Sequence, residues 1–266
     1  MAETGPSYDA DAQAFFTAVA SGGDTLTTTE KDAVNQLVLD LKVGNEWSNA
    51  AWIYPFVGGT STSCKWNLKD PRDLNAAYRI NFGSAITYSS LGVLGVSNDT
   101  NSFIDTNYNQ VSNSDTQNIV SLYLNQGMGA GGATPNNWYD FGGFDGSREQ
   151  AFIVGYNNKT TMYTNVGSGF RTISSGWTYV NDLFTATADG SNVVTYQGST
   201  TVINRTRTFF ASNINMTIGG SNRLSGITAA SGRGYGFGYY SNNLTGFSIS
   251  NLDSAVSTFT TSLSRN

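Results

Sequence analysis

Acid, base or nucleophilic catalysis near neutral pH most often relies on an imidazole, and this 266-residue chain contains no histidine. That removes together the commonest general base, the usual partner of a Ser or Cys nucleophile and the commonest metal ligand. The single cysteine, Cys64, has no imidazole to activate it. Its place in the alternating run Cys64-Lys65-Trp66-Asn67-Leu68 predicts a buried or half-buried strand residue. Carboxylate pairs remain, because glycoside hydrolysis needs only two suitably spaced acids. The four glutamates, Glu3, Glu30, Glu46 and Glu149, are dispersed, and no Glu-x-Asp-x-Glu run sets two acids on one strand face. Asp140 and Asp145 flank Phe141-Gly142-Gly143-Phe144, where Asp beside Gly is a turn pattern. No catalytic residue is predicted, and the chain is expected not to be an enzyme.

Oxygen-ligand metal sites need only acids and carbonyls. Asp105, Asp115, Asp140, Asp145 and Asp189 fall in or beside predicted loops, but without calcium-loop spacing. No metal or cofactor is expected. The Gly-rich run 127–132 lacks the Lys-Ser/Thr of a phosphate loop and reads as a flexible turn. Binding chemistry is better represented. In Asn136-Asn137-Trp138-Tyr139-Asp140, two aromatics stand beside amides and a carboxylate, a combination that stacks on a sugar ring and bonds its hydroxyls. Trp138, Tyr139 and Asp140 are therefore the candidate glycan contacts, against the alternative that Trp138 opens a core strand. In Tyr235-Gly236-Phe237-Gly238-Tyr239-Tyr240, alternation predicts Tyr235, Phe237 and Tyr239 on one core face with glycines opposite.

These residues need a scaffold, and the chain supplies two kinds of pattern. Residues 9–20 hold good helix formers with Phe15, Phe16 and Val19 on one side, stopped by Gly22-Gly23. Thr27 and Glu30 have capping-box spacing ahead of Val34, Leu37, Val38 and Leu41 at i, i+3, i+4 and i+7, and Gly44 ends that pattern. From Trp47 onward the period becomes 2. Strands are predicted over 52–57, 64–68, 102–106, 119–124, 151–155, 161–165, 183–188, 192–196, 213–218, 235–239 and 244–249. Asp189-Gly190 supplies the positive φ of a tight hairpin between two of them. Leu252, Val256, Phe259 and Leu263 at helical spacing, with Asn251 or Asp253 as cap, predict a terminal helix. The organisation expected is a helical segment, 1–46, packed on a β-sandwich domain, 47–266, that ends in a helix.

Charged residues make up only 12% of the chain against 30 glycines and 13% aromatics, a strand-and-turn balance. A net charge of −5 with scattered cations gives no basic field, so nucleic acid is not an expected partner. No uncharged apolar run approaches 18 residues and the first residues lack a signal-peptide pattern, so neither membrane insertion nor secretion by a leader is expected. The five Asn-x-Ser/Thr triplets, at Asn98, Asn158, Asn204, Asn215 and Asn243, are what an Asn- and Thr-rich composition produces by chance.

Three groups of segments carry a likeness to a known family. They are 9–16 with Ala51-Trp52-Ile53-Tyr54-Pro55-Phe56-Val57-Gly58-Gly59-Thr60 and Asn67-Leu68-Lys69-Asp70-Pro71-Arg72-Asp73; Ser102-Phe103-Ile104-Asp105-Thr106; and Tyr235 to Tyr240 with Asn243-Leu244-Thr245 and the run 255–265. Together they resemble tailed-bacteriophage virion structural proteins built on a concanavalin A-like (laminin G-like) sandwich. The resemblance implies a mainly β fold, an antiparallel jelly-roll sandwich with a short N-terminal helical segment and a C-terminal helix. It also implies a tail-fibre, spike or capsid-surface role in the virion, with copies of itself and other virion proteins as partners. A carbohydrate-binding, lectin-like module for a host-surface glycan is the alternative, and a depolymerising glycosidase the third reading. The polar stretch 2–8 is expected to act as an arm across a neighbouring subunit of a homo-oligomer.

Overall fold

The computed structural model describes residues 7–96, 99–125, 139–156, 161–167, 172–174, 181–206, 209–228 and 230–265. The helices begin where local capping chemistry puts them. Asp9 accepts from the Asp11 backbone N–H at 2.9 Å and opens α1 (Ala10–Ser21), which buries Phe15, Phe16 and Val19. Thr27 Oγ1 accepts from Glu30 N at 3.2 Å while Glu30 Oε2 accepts from Thr27 N at 2.8 Å, the reciprocal box that starts α2 (Thr28–Val43). Two one-turn helices follow, α3 (Glu46–Asn49) and α4 (Ser61–Cys64). The last, α5 (Ile249–Ser262), is capped by Ser248, three to five residues earlier than the predicted caps, because its Oγ accepts from Asn251 N.

Two sheets stack face to face. Sheet A runs β13 (Thr200–Thr206), β12 (Asn192–Gln197), β11 (Asp182–Ala188), β6 (Asn118–Asn125), β17 (Gly234–Ser241), β4 (Gly92–Leu94), β3 (Thr87–Ser89), with β1 (Ala50–Tyr54) also paired to β17. Sheet B runs β10 (Thr172–Ser174), β9 (Thr161–Gly167), β8 (Glu149–Tyr156), β7 (Phe141–Phe144), β14 (Asn215–Ile218), β5 (Ile104–Asn109), β2 (Asn81–Phe82); β15 (Ser221–Arg223) adds to β7 in parallel and pairs with β16 (Gly226–Thr228). The chain is thus the mainly β sandwich with helical ends that its sequence predicts. The Asp189-Gly190 hairpin joins β11 to β12, with Gly190 at φ +86° and Asp189 Oδ1 accepting from Ser191 N and Asn192 N.

Two cores divide the aromatic residues. Between the sheets lie Trp52, Tyr54, Ile104, Tyr108, Leu122, Phe141, Phe152, Phe184, Met216, Tyr235 and Tyr240. On the far side of sheet A, α1, α2 and α5 pack Phe15, Val34, Leu37, Val38, Leu41, Leu252 and Phe259 onto Ile53, Tyr123, Leu183, Phe237 and Tyr239. Each α2 stripe residue there contributes about 1.5–3 kcal/mol by leaving water. The helices therefore cover one face of sheet A, sheet B covers the other, and sheet B keeps an outer face of its own.

Several predictions give way to tertiary geometry. Tyr235, Phe237 and Tyr239 do not share a face: a β-bulge between Tyr235 and Phe237 turns Tyr235 into the inter-sheet core and leaves Phe237 and Tyr239 under the helices. Cys64 is buried but lies in α4, not in a strand over 64–68. Thr60 and Ser63 form a reciprocal cap there, and burial pushes the thiol pKa up to about 12. Residues 244–248 form a turn, with Phe247 N donating to Leu244 O and Gly246 at φ +67°, in place of the predicted strand 244–249. Tyr8, at the end of the predicted arm, packs edge-on to Phe16 at 5.1 Å and donates to Asp32, so it docks on its own chain; residues 1–6 lie outside the described residues.

Candidate functional site

Of the predicted glycan contacts, Trp138 lies outside the described residues, as does the Gly-rich run 127–132. The other two are interior groups. Asp140 has no exposed surface, and its carboxylate accepts from Val154 N (2.7 Å), Tyr235 Oη (2.8 Å), Ser231 Oγ (3.2 Å) and Arg233 Nη1. An acid so enclosed ties β8, β17 and the 231–233 segment together and is not presented to a solvent ligand. Nor is it the turn residue that its Gly neighbours suggested. Tyr139 is buried beside it, donating to Glu149 Oε1 at 2.7 Å. Arg223 donates to the same phenol oxygen (2.9 Å) and to Glu149 (3.2 Å), with its guanidinium against the Tyr139 and Phe144 rings at 5.6 and 5.3 Å.

The remaining predicted acids also separate. Asp145 and Asp189 hold turns through backbone N–H groups. Asp115 is buried among the hydroxyls of Tyr108 (2.8 Å) and Tyr240 (2.7 Å) and the Asn242 amide (2.9 Å); burial raises its pKa, against the opposing effect of those donors. Among the described residues no three His, Cys, Asp or Glu side chains converge as a metal site would require.

Asp105 leads to a different surface. Along β5, Ile104, Thr106 and Tyr108 point inward while Asp105, Asn107 and Asn109 alternate onto the outer face of sheet B. Neighbouring strands add amides to the same face, forming one hydrogen-bonded band. Asn81 Nδ2 donates to Asn107 Oδ1 (3.3 Å), Asn107 N and Asn215 Nδ2 donate to Asp105 Oδ1 (2.8 and 3.3 Å), and Asn222 Nδ2 donates to Asn215 O (2.9 Å). Across β2, β5 and β14 this band is about 10 Å wide, counting two inter-strand steps. Asn107 sits near its middle at φ +55°, a left-handed conformation that Asn tolerates better than most residues. The bulged register between β5 and β14 surrounds it. All these side chains are half-buried, so their packed sides are fixed and their free edges face water.

At the β2 end the band runs into a groove of ≈ 520 Å³, whose lining includes Thr62, Lys65, Arg79, Asn81, Phe82 and Tyr88. That volume lies in the range of small-molecule and sugar sites. Arg79 donates to Asn81 Oδ1 at 3.0 Å, which makes the groove continuous with the amide band. Sequence reasoning missed Asn81, Asn107 and Asn215. The available signal was the Ile-Asp-Thr-Asn-Tyr-Asn alternation of β5, which the predicted strand cut short at Thr106.

No protein-family model matches the chain, and no curated protein matches it in sequence. Solved structures share its fold. A sialidase of Trypanosoma rangeli in complex with a difluorinated KDN superposes with TM-score 0.54 at 9% identity, over 77% of this chain and 32% of the sialidase. Domain 4 of an extracellular GH43 arabinanase from Geobacillus stearothermophilus, in complex with arabinotriose, gives TM-score 0.48 at 13% identity over 78% of this chain and 98% of that domain. The CBM40 of a Ruminococcus gnavus IT-sialidase bound to α2,3 sialyllactose gives 0.41 at 13% identity over 66% and 96%. This chain spans about a third of the length of the Trypanosoma enzyme, and at such identities what the two share is the β-sandwich.

Proposed function

We propose that this chain is a carbohydrate-binding module that recognises its ligand on the outer face of sheet B, without turnover. The observation that carries the reading is the band of Asn81, Asp105, Asn107, Asn215 and Asn222 on the face of sheet B away from sheet A, on which α1, α2 and α5 pack instead. Amides and a carboxylate offer both donors and acceptors at fixed spacing, which is what neighbouring sugar hydroxyls need, and half-buried side chains lose little rotamer freedom on binding. The sugar-bound domains sharing this sandwich are compatible with the reading. The test is a glycan array followed by calorimetry on the best ligand. Asn107→Gly keeps the left-handed backbone and deletes the amide, so it should weaken binding about tenfold, one lost hydrogen-bond pair, while loss of the bonds to Asn81 Nδ2 and the Arg79 carbonyl lowers the melting temperature by roughly a few degrees and leaves the fold intact. Binding unaffected by Asn107→Gly and by Asn215→Ala would reject this face.

The likeness to tailed-phage virion proteins supports a finer form of the proposal, in which the module reads a host-surface glycan from a particle and other copies of the chain are its neighbours. Sedimentation of the purified chain and its recovery in particles test that form. A monomer absent from particles leaves the free-standing module.

A further inference from the structure

Resting on the carbohydrate-binding reading, we infer that the groove at the β2 end of the amide band takes the negatively charged sugar of an acidic saccharide. Among the described residues its lining carries two cations, Lys65 and Arg79, and no acid. Both cations share a single carboxylate, Asp73, at 2.9 and 2.7 Å, which leaves one positive charge uncompensated in a chain of net charge −5. The cations are held in place. Arg79 also donates to Asn75 Oδ1 (2.9 Å) and Asn81 Oδ1 (3.0 Å), and the Lys65 ammonium stands 4.3 Å above the Trp66 ring. Asp105, across from Asn81 on β5, takes its bonds from Asn107 and Asn215 and makes no ion pair with either cation. Phe82 and Tyr88, edge to face at 5.1 Å, supply the apolar part of the same lining. A charged sugar has both requirements, a ring face that stacks on an aromatic and an acid group that takes a charge-assisted hydrogen bond.

The geometry also fixes opposite signs for two substitutions. Asp73 competes with the ligand for both cations, so Asp73→Asn frees them, whereas Lys65→Gln removes one. The experiment measures affinity for matched acidic and neutral probes: α2,3-sialyllactose with lactose, and an oligogalacturonate with its carboxyl-reduced form. An acidic probe is expected to bind at least about tenfold tighter than its neutral partner, the scale of one charge-assisted bond, with the preference shrinking as salt rises. Lys65→Gln should erase the preference, Lys65→Arg should restore it, and Asp73→Asn should raise it, with melting curves confirming the fold. Equal affinity for acidic and neutral probes, or Lys65→Gln and Asp73→Asn shifting affinity in the same direction, would overturn the inference and leave the amide-band reading standing. If neither acidic nor neutral probes bind, the carbohydrate reading itself falls.

Discussion

Replacing Asp140 by Ala removes one carboxylate and four hydrogen bonds from the interior. Its donors are the Val154 backbone N–H, the Ser231 and Tyr235 hydroxyls and the Arg233 guanidinium, none of which can follow the missing group. Asp140 itself has no exposed surface and the Arg233 side chain only 13%, so water does not freely replace what is lost. Removing one partner of a buried ion pair costs about 3–5 kcal/mol. A substantial part of a typical total stability of about 5–15 kcal/mol would then be lost. Urea unfolding followed by tryptophan fluorescence reads this directly: with a slope of about 3 kcal/mol/M, the midpoint should fall by about 1–1.7 M with the slope unchanged. Asp140→Asn should lose nearly as much, because whichever way the amide turns, its NH₂ meets donors. Asp145→Asn, at an exposed turn, should cost below about 1 kcal/mol. A midpoint for Asp140→Ala within roughly 0.2 M of the parent, the precision of such measurements, would refute the claim that this cluster ties β8 to β17.

Asp115 should make stability fall with pH. Burial raises its folded pKa above the unfolded value, so its proton favours the native state below the unfolded pKa, near 3.9, and that advantage is lost as pH rises through the folded pKa. The stability of the parent relative to Asp115→Asn should therefore decline upward from about pH 4, and a pH-independent difference would contradict it. Leu37→Asp places a charge in the core shared by α2, α5 and sheet A, and should lower the melting temperature of the whole chain by about 10 °C; an unchanged curve would make the helices an independent arm. Arg265, buried with its pKa lowered to about 10 by desolvation, donates to the carbonyls of Ser90, Pro55, Phe56 and Gly236. Lys has a compact head and cannot span four acceptors, so Arg265→Lys should cost at least about 2 kcal/mol in chemical denaturation despite keeping the charge.

What the sequence determined by itself is what short-range chemistry controls. The starts of α1 and α2 follow from side chains bonding backbone groups two or three residues away, and the Asp189-Gly190 turn from the conformational freedom of one glycine. The mainly β class followed from period-2 patterning, and the limits on catalysis from the missing histidine. The same local logic, Thr60 with Ser63, set the helical turn at Cys64, but the alternation around it concealed that cap. Tertiary structure decided the rest, because pairing partners come from remote segments. The bulge that splits Tyr235 from Phe237 is a property of the β6–β17 register, and no residue of β17 announces it. Asp140 looked like a turn residue because its four donors lie at Val154, Ser231, Arg233 and Tyr235, far along the chain. The amide band is the clearest case. Asn81, Asn107 and Asn215 are unremarkable singly in an Asn-rich chain, and they become a surface only when β2, β5 and β14 are laid side by side with their outward positions in line.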